Sequence, residues 1–169
     1  VYRRGEMENA WQMACQALAL AEEAADIASL ALTHNILGIL SRAREDRSAA
    51  IIHLAKSLDL AKKIDQPVGQ IAALNNLSLT YADMGDLERA IEFASQALNL
   101  CAALGDRHRE AALHNNLADL YHTAGLEEHS MAHLKQAVII FAEVNRAGMD
   151  EGAAPASELA DRSHPEIWK

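Results

Sequence analysis

The 169 residues carry 15 basic and 24 acidic side chains, a net charge of −9 and a pI near 5.3; half of them are hydrophobic and 4% aromatic. A field of that sign recruits neither phosphate backbones nor anionic lipid, which argues against nucleic acid and membrane surfaces as partners. No apolar stretch approaches the roughly twenty residues of a bilayer span, and the two cysteines, Cys15 and Cys101, lack CxxC or Cys/His spacing. They read as buried free thiols of a reducing, cytoplasmic compartment.

Two of the three prolines are Pro155 and Pro165, so nearly everything before residue 147 is open to helix. A shift of forty residues brings the chain into register with itself. Asn75-Asn76-Leu77 falls on Asn115-Asn116-Leu117, Tyr81 on Tyr121, Gly85 on Gly125 and Gln96-Ala97 on Gln136-Ala137. One step back, Asn35 meets Asn75, Leu37 meets Leu77 and Ala50-Ile51 meets Ala90-Ile91. Helical spacing of the apolar residues predicts helices at about 6–22, 26–43, 47–64, 67–84, 87–104, 107–124 and 127–146. The units are a partial repeat at 1–25 and helical hairpins at 26–65, 66–105 and 106–146, about 3.5 repeats in all.

Gly85 supplies the left-handed residue that ends a helix, and Asp86, Asp26 and Asp106 stand where a carboxylate can cap the next one. Small residues recur in three columns: Ala10, Ala50, Ala90 and Ser130; Ala17, Ser57, Ala97 and Ala137; Gly38, Ser78 and Ala118. Helices approach closely only where side chains are this small, so these columns predict the packing seams. After Arg146 the pattern dissolves, predicting a linker at 147–156, a short helix from Ser157 to Asp161 and a tail. The tail carries Ile167-Trp168, either docked on the last hairpin as a cap or offered as a linear motif.

Asn76-Leu77, Tyr81, Gly85-Asp86, Ala90-Ile91-Glu92 and Ala97-Leu98 resemble the signature of the tetratricopeptide repeat (TPR) family. The third repeat keeps Asn116-Leu117, Tyr121, Gly125 and Ala137 but has Ser130 for Ala; the first has Ser41 for Tyr and Glu45 for Gly. The forty-residue unit is similar to the longer repeats of kinesin light chains and of bacterial signalling regulators with C-terminal sensor arrays. The resemblance implies an all-α, right-handed α-solenoid of antiparallel helical hairpins. Its concave groove, lined by the first helix of every hairpin, receives a peptide, a protein segment or occasionally a small ligand.

Carried over residue by residue, the groove positions are Leu32, Asn35, Ile39 and Arg42; Ala72, Asn75, Leu79 and Asp83; and Ala112, Asn115, Asp119 and His122. An Asn inside a helix costs about half a kcal/mol relative to Ala, so the ladder Asn35, Asn75, Asn115 asks for a reason. Side-chain amides both donate and accept, which suits an extended peptide backbone. Asn76 and Asn116, at the family's usual Asn position, either join that groove or satisfy neighbouring groups inside the array.

None of GxxxxGK[ST], GxGxxG, GxSxG or HExxH occurs, so no catalytic residue, cofactor or metal is expected. His129 and His133 read as a surface pair of one helix, with His122 ending the helix before it. His34 and His114 replace Leu74, and His53 replaces Phe93, as half-buried core histidines; Trp11 aligns with Ile51, Ile91 and Met131 as a core or interface residue. The chain thus reads as a non-enzymatic, preferentially monomeric module that binds a protein or peptide, the sensor or scaffold part of a larger bacterial signalling regulator. A small-molecule-sensing array and a passive spacer or self-association module are the alternatives.

Overall fold

The computed structural model describes residues 2–152, and the side chains of residues 5–146. The expected helix at Ser157–Asp161 and the Ile167-Trp168 tail lie outside the described residues.

Among the described residues there are seven helices and no strand: α1 (Tyr2–Glu23), α2 (Ile27–Ala43), α3 (Arg47–Lys63), α4 (Pro67–Asp83), α5 (Leu87–Leu104), α6 (Arg107–Thr123) and α7 (Glu127–Gly152). Each packs on its sequence neighbours, most extensively within the hairpins α2–α3, α4–α5 and α6–α7, and α2 also touches α4. This is an all-α solenoid of antiparallel hairpins. No helix among the described residues is long and apolar enough to cross a membrane.

The same local device makes every turn. At the α2–α3 junction the Glu45 N–H donates to the Arg42 carbonyl and the Asp46 N–H to the Ser41 carbonyl. That pair of bonds satisfies carbonyls the ending helix leaves orphaned, with Glu45 in the left-handed conformation (φ 65°). Asp46 then opens α3, its carboxylate accepting from the Ala49 N–H at 3.0 Å. Asp26, Asp86 and Asp106 cap α2, α5 and α6 in the same way. Hydrogen bonds hold all three carboxyls below the usual carboxylate range: from Ser29 to Asp26, from the Arg89 side chain to Asp86, and from the Arg109 backbone to Asp106. The exception is Gln66 before α4, which makes no cap bond; Pro67, fixed near helical φ, starts that helix instead.

Small residues set the packing distance. Ala50, Ala90 and Ser130, Ser57, Ala97 and Ala137, and Gly38, Ser78 and Ala118 are all buried. A Cβ on Gly38 would lie 2.5 Å from Leu54 Cγ, and Ser57 Oγ donates to the Ala31 carbonyl at 2.7 Å across the α2–α3 seam. Leu54, Leu74, Leu77, Tyr81, Ala94, Leu113 and Leu117 build one core that runs continuously from hairpin to hairpin.

Three expectations change. Ala17, in a seam column, is exposed, and Ala10 is only half-buried, because no described helix precedes α1 to cover them. Cys15 is exposed; only Cys101 is buried, its Sγ 3.2 Å from the Asp106 carbonyl and its thiol pushed up by burial. The helix expected to end at 146 continues to Gly152. One interior glycine, Gly148, costs about 1 kcal/mol, too little to stop a helix before Pro155 imposes a break.

Candidate binding groove

Along α2, α4 and α6 the first helices of successive hairpins stand side by side, and three bonds tie them at a constant spacing of 41 residues. Asn76 Nδ2 on α4 donates to Asn35 Oδ1 on α2 at 3.0 Å. Asn116 Nδ2 on α6 donates to Asn75 Oδ1 on α4 at 2.9 Å. Arg42 Nε donates to Asp83 Oδ2 at 2.6 Å. The two Asn columns, adjacent in sequence, therefore form one system of amide clasps. Each clasp uses the carbonyl of one Asn and the amino group of the other, leaving the Asn35 and Asn75 amino groups and the Asn76 and Asn116 carbonyls half-exposed. Asn115 on α6 is exposed, the next acceptor of the series with no described helix beyond it.

Two clefts open between these helices. The first, about 300 Å³, lies between α2 and the start of α4, with Leu32, Asn35, Val68 and Ala72 on its walls and Ala31 and Ser57 at its base. The second, about 220 Å³, is the same cleft one repeat on, lined by Ile71, Ala72, Asn75, Arg109, Ala112 and Asn116. A broader depression of about 510 Å³ lies elsewhere, on α7 around Met131 and Lys135, where no hairpin follows among the described residues.

Around the first cleft the surface is apolar: Leu32 is 62% exposed and Val68 45%, with Ile36 and Ile39 about two-fifths exposed. At the other end, Asp119 and His122 are exposed, and His122 Nδ1 meets Glu127 Oε1 at 2.9 Å. Leu79 is half-buried between them. The structure thus brings Asn35, Asn75, Asn76, Asn116, Arg42 and Asp83 into direct contact in pairs. Arg42 and Asp83 satisfy each other, so they close the groove wall instead of standing as free charges. Val68, Ile36 and Gln66 are cleft-side residues that repeat reasoning passes over. The sequence signal for Ile36 is its column, which holds Asn76 and Asn116 in the later repeats.

The histidines divide differently from the sequence reading. His34 on α2 and His53 on α3 are half-buried, Nδ1 to Nδ1 at 3.0 Å; His114 on α6 and His133 on α7 repeat the pair at 2.8 Å. His133 is therefore turned inward and not one of a surface pair, with the Tyr121 ring stacked on it and on the exposed His129. Burial is the largest influence on all four paired imidazoles and favours their neutral form. Trp11 is half-buried under the Arg44 guanidinium, 4.7 Å from its ring centre.

The repeated hairpin, its caps and its clasps now meet the comparison with known proteins. Residues 69–143 match the tetratricopeptide repeat family. The array is a tetratricopeptide-type solenoid, and solved structures of that kind share its fold. BtubC (BKLC) from P. vanneervenii superposes with a TM-score of 0.77 at 21% identity, over 98% of this chain and 65% of that one. This chain thus spans just under two thirds of BtubC's length. Nearly identical TPR-like repeats from Podosopora anserina, assigned to a kinesin light chain, give 0.70 at 19%, over 83% of this chain and 70% of that one. The MamA protein gives 0.59 at 17%, over 86% and 78%. No curated protein sequence matches the chain. Tetratricopeptide arrays are generally protein-interaction modules, and the forty-residue period of this one is shared in kind with kinesin light chain-like repeats.

Proposed function

We propose that the face formed by α2, α4 and α6 is a concave groove that binds an extended peptide or protein segment, as the sensor or scaffold part of a larger bacterial signalling regulator. The observation that carries this reading is the repeated cleft: at two successive junctions the same column presents an apolar recess beside an Asn amide already fixed by its clasp. A side chain held in rigid geometry loses little entropy on binding, and its free amino and carbonyl groups match a peptide backbone. The exposed aliphatic cluster Leu32, Ile36, Ile39 and Val68 supplies the anchor that hydrogen bonds alone lack. The bound segment therefore enters with an aliphatic side chain in the first cleft and runs toward Asp119 and His122.

A peptide-display selection against the immobilised chain tests this. The selected peptides should carry a Leu- or Ile-sized anchor and lose at least about tenfold in affinity, 1.4 kcal/mol, to Leu32→Asp. Met13→Asp, on exposed α1 surface away from the clefts, should leave binding unchanged. Peptides indifferent to Leu32→Asp and sensitive to Met13→Asp would remove the groove as the site.

A further inference from the structure

His34 and His53 lie nineteen residues apart on the two helices of one hairpin, and His114 and His133 repeat them eighty residues on. The intervening hairpin fills the same two positions with Leu74 and Phe93. Hydrocarbon therefore satisfies the packing at this place, and the buried imidazoles of the outer hairpins are not demanded by it. Their cost is desolvation, which an ordinary core avoids.

We propose that each histidine pair is a binding site for a late first-row divalent cation, zinc or nickel, held between the two helices of a hairpin by Nδ1 of both rings. Borderline cations of this class take neutral imidazole as a preferred ligand. With metal–nitrogen bonds of about 2.0–2.1 Å, two ligands at a right angle hold their nitrogens about 2.8–3.0 Å apart, and a tetrahedral pair about 3.3–3.4 Å. The observed 2.8 and 3.0 Å fit the first directly and the second after a spread of a few tenths of an ångström. In the hydrogen-bonded pair one ring carries its proton on Nδ1. Coordination moves that proton to Nε2, so both rings stay neutral and both lone pairs face the ion.

No group of three or more His, Cys, Asp or Glu is gathered among the described residues, so each ion keeps open positions for water or for a ligand from a bound partner. The two sites differ in surroundings. Glu22 and Lys56 bear on His34, whereas Glu110 and Arg107 bear on His114, and Arg107 is engaged by Glu110 and Glu143. His129 lies one turn before His133, close enough to join it on the same ring of Tyr121. The His114–His133 site is accordingly the tighter of the two.

Isothermal titration of the metal-free chain with zinc chloride and with nickel chloride tests the proposal. His34→Leu with His53→Phe, and His114→Leu with His133→Phe, install the side chains that the middle hairpin already uses, so the fold should persist by circular dichroism. The parent should bind two ions, each double variant one, and the fourfold variant none, although it retains His108, His122 and His129. A parent that binds no ion, or a fourfold variant that binds as many as the parent, overturns the proposal. Nitrogen NMR of the unsubstituted chain gives an answer independent of any folding defect: zinc should move the Nδ1 resonances of the four paired histidines and leave that of His108 in place.

Discussion

Ala25, Glu45 and Asp65 sit at φ of 50°, 65° and 48°, while Gly85, Gly105 and Gly125 hold the corresponding turns at 70–78°. The left-handed region brings Cβ against the backbone of a non-glycine residue, at about 1–2 kcal/mol. Glu45→Gly should therefore raise stability by about 1 kcal/mol, partly offset by the freedom glycine gains in the unfolded chain. Thermal unfolding checks the sign; a lowered midpoint would show that the Glu45 side chain contributes something the turn needs. The departure was visible in the sequence as a Glu in a Gly column, but its conformation was not, because the turn is imposed by the two hydrogen bonds that close each helix. The amide clasps were half legible. The sequence marked both Asn columns without joining them, since a contact between positions 41 apart depends on how far each hairpin rotates on the last. Removing Asn76 should cost about 1 kcal/mol, and a double-mutant cycle of Asn35→Ala with Asn76→Ala should return a coupling of about 0.5–1.5 kcal/mol. Zero coupling would mean that water serves the two amides equally well.

The histidine pairs join the two helices of a hairpin, and their protonation is an element-level property. The folded state holds His34, His53, His114 and His133 below the ordinary imidazole value of 6.5, chiefly by burial. The unfolded chain then takes up protons more readily than the folded one. Stability from these groups is fully present above about pH 6.5 and falls as the pH drops through and below that value. In the presence of a chelator, urea unfolding between pH 7.5 and 5 should show this decline, and the fourfold Leu/Phe variant should show a flatter profile. Equal slopes would mean that the four rings titrate alike in both states. Helix boundaries were legible at this scale because caps and period agree at every junction: the predicted 87–104 is the observed α5, and α3, α4 and α6 end within a residue. α7 was not, because the loss of apolar period after Arg146 ends the burial of the helix and not the helix itself. His133 was misplaced for a related reason: its i, i+4 relation to His129 is local, whereas its partner His114 lies on another helix.

At the scale of the whole molecule, a solenoid differs from a globular domain in offering one long face built from equivalent residues. Here that face is graded, from the aliphatic Leu32, Ile36, Ile39 and Val68 at one end to Asp119 and His122 at the other, with the Arg42–Asp83 pair neutralised within it. The sequence gave away the repeat and the face because both follow from periodicity; the clefts depend on the distance between helices, which small residues set but do not display. The central claim is that this face, and not the outer helices, receives the partner. Side-chain amide NMR during titration with a selected peptide tests it most directly. The account predicts that the Asn35, Asn75 and Asn115 NH2 resonances shift together and saturate at one peptide per chain. Shifts confined to α3 and α5, with those three amides unmoved, would contradict it.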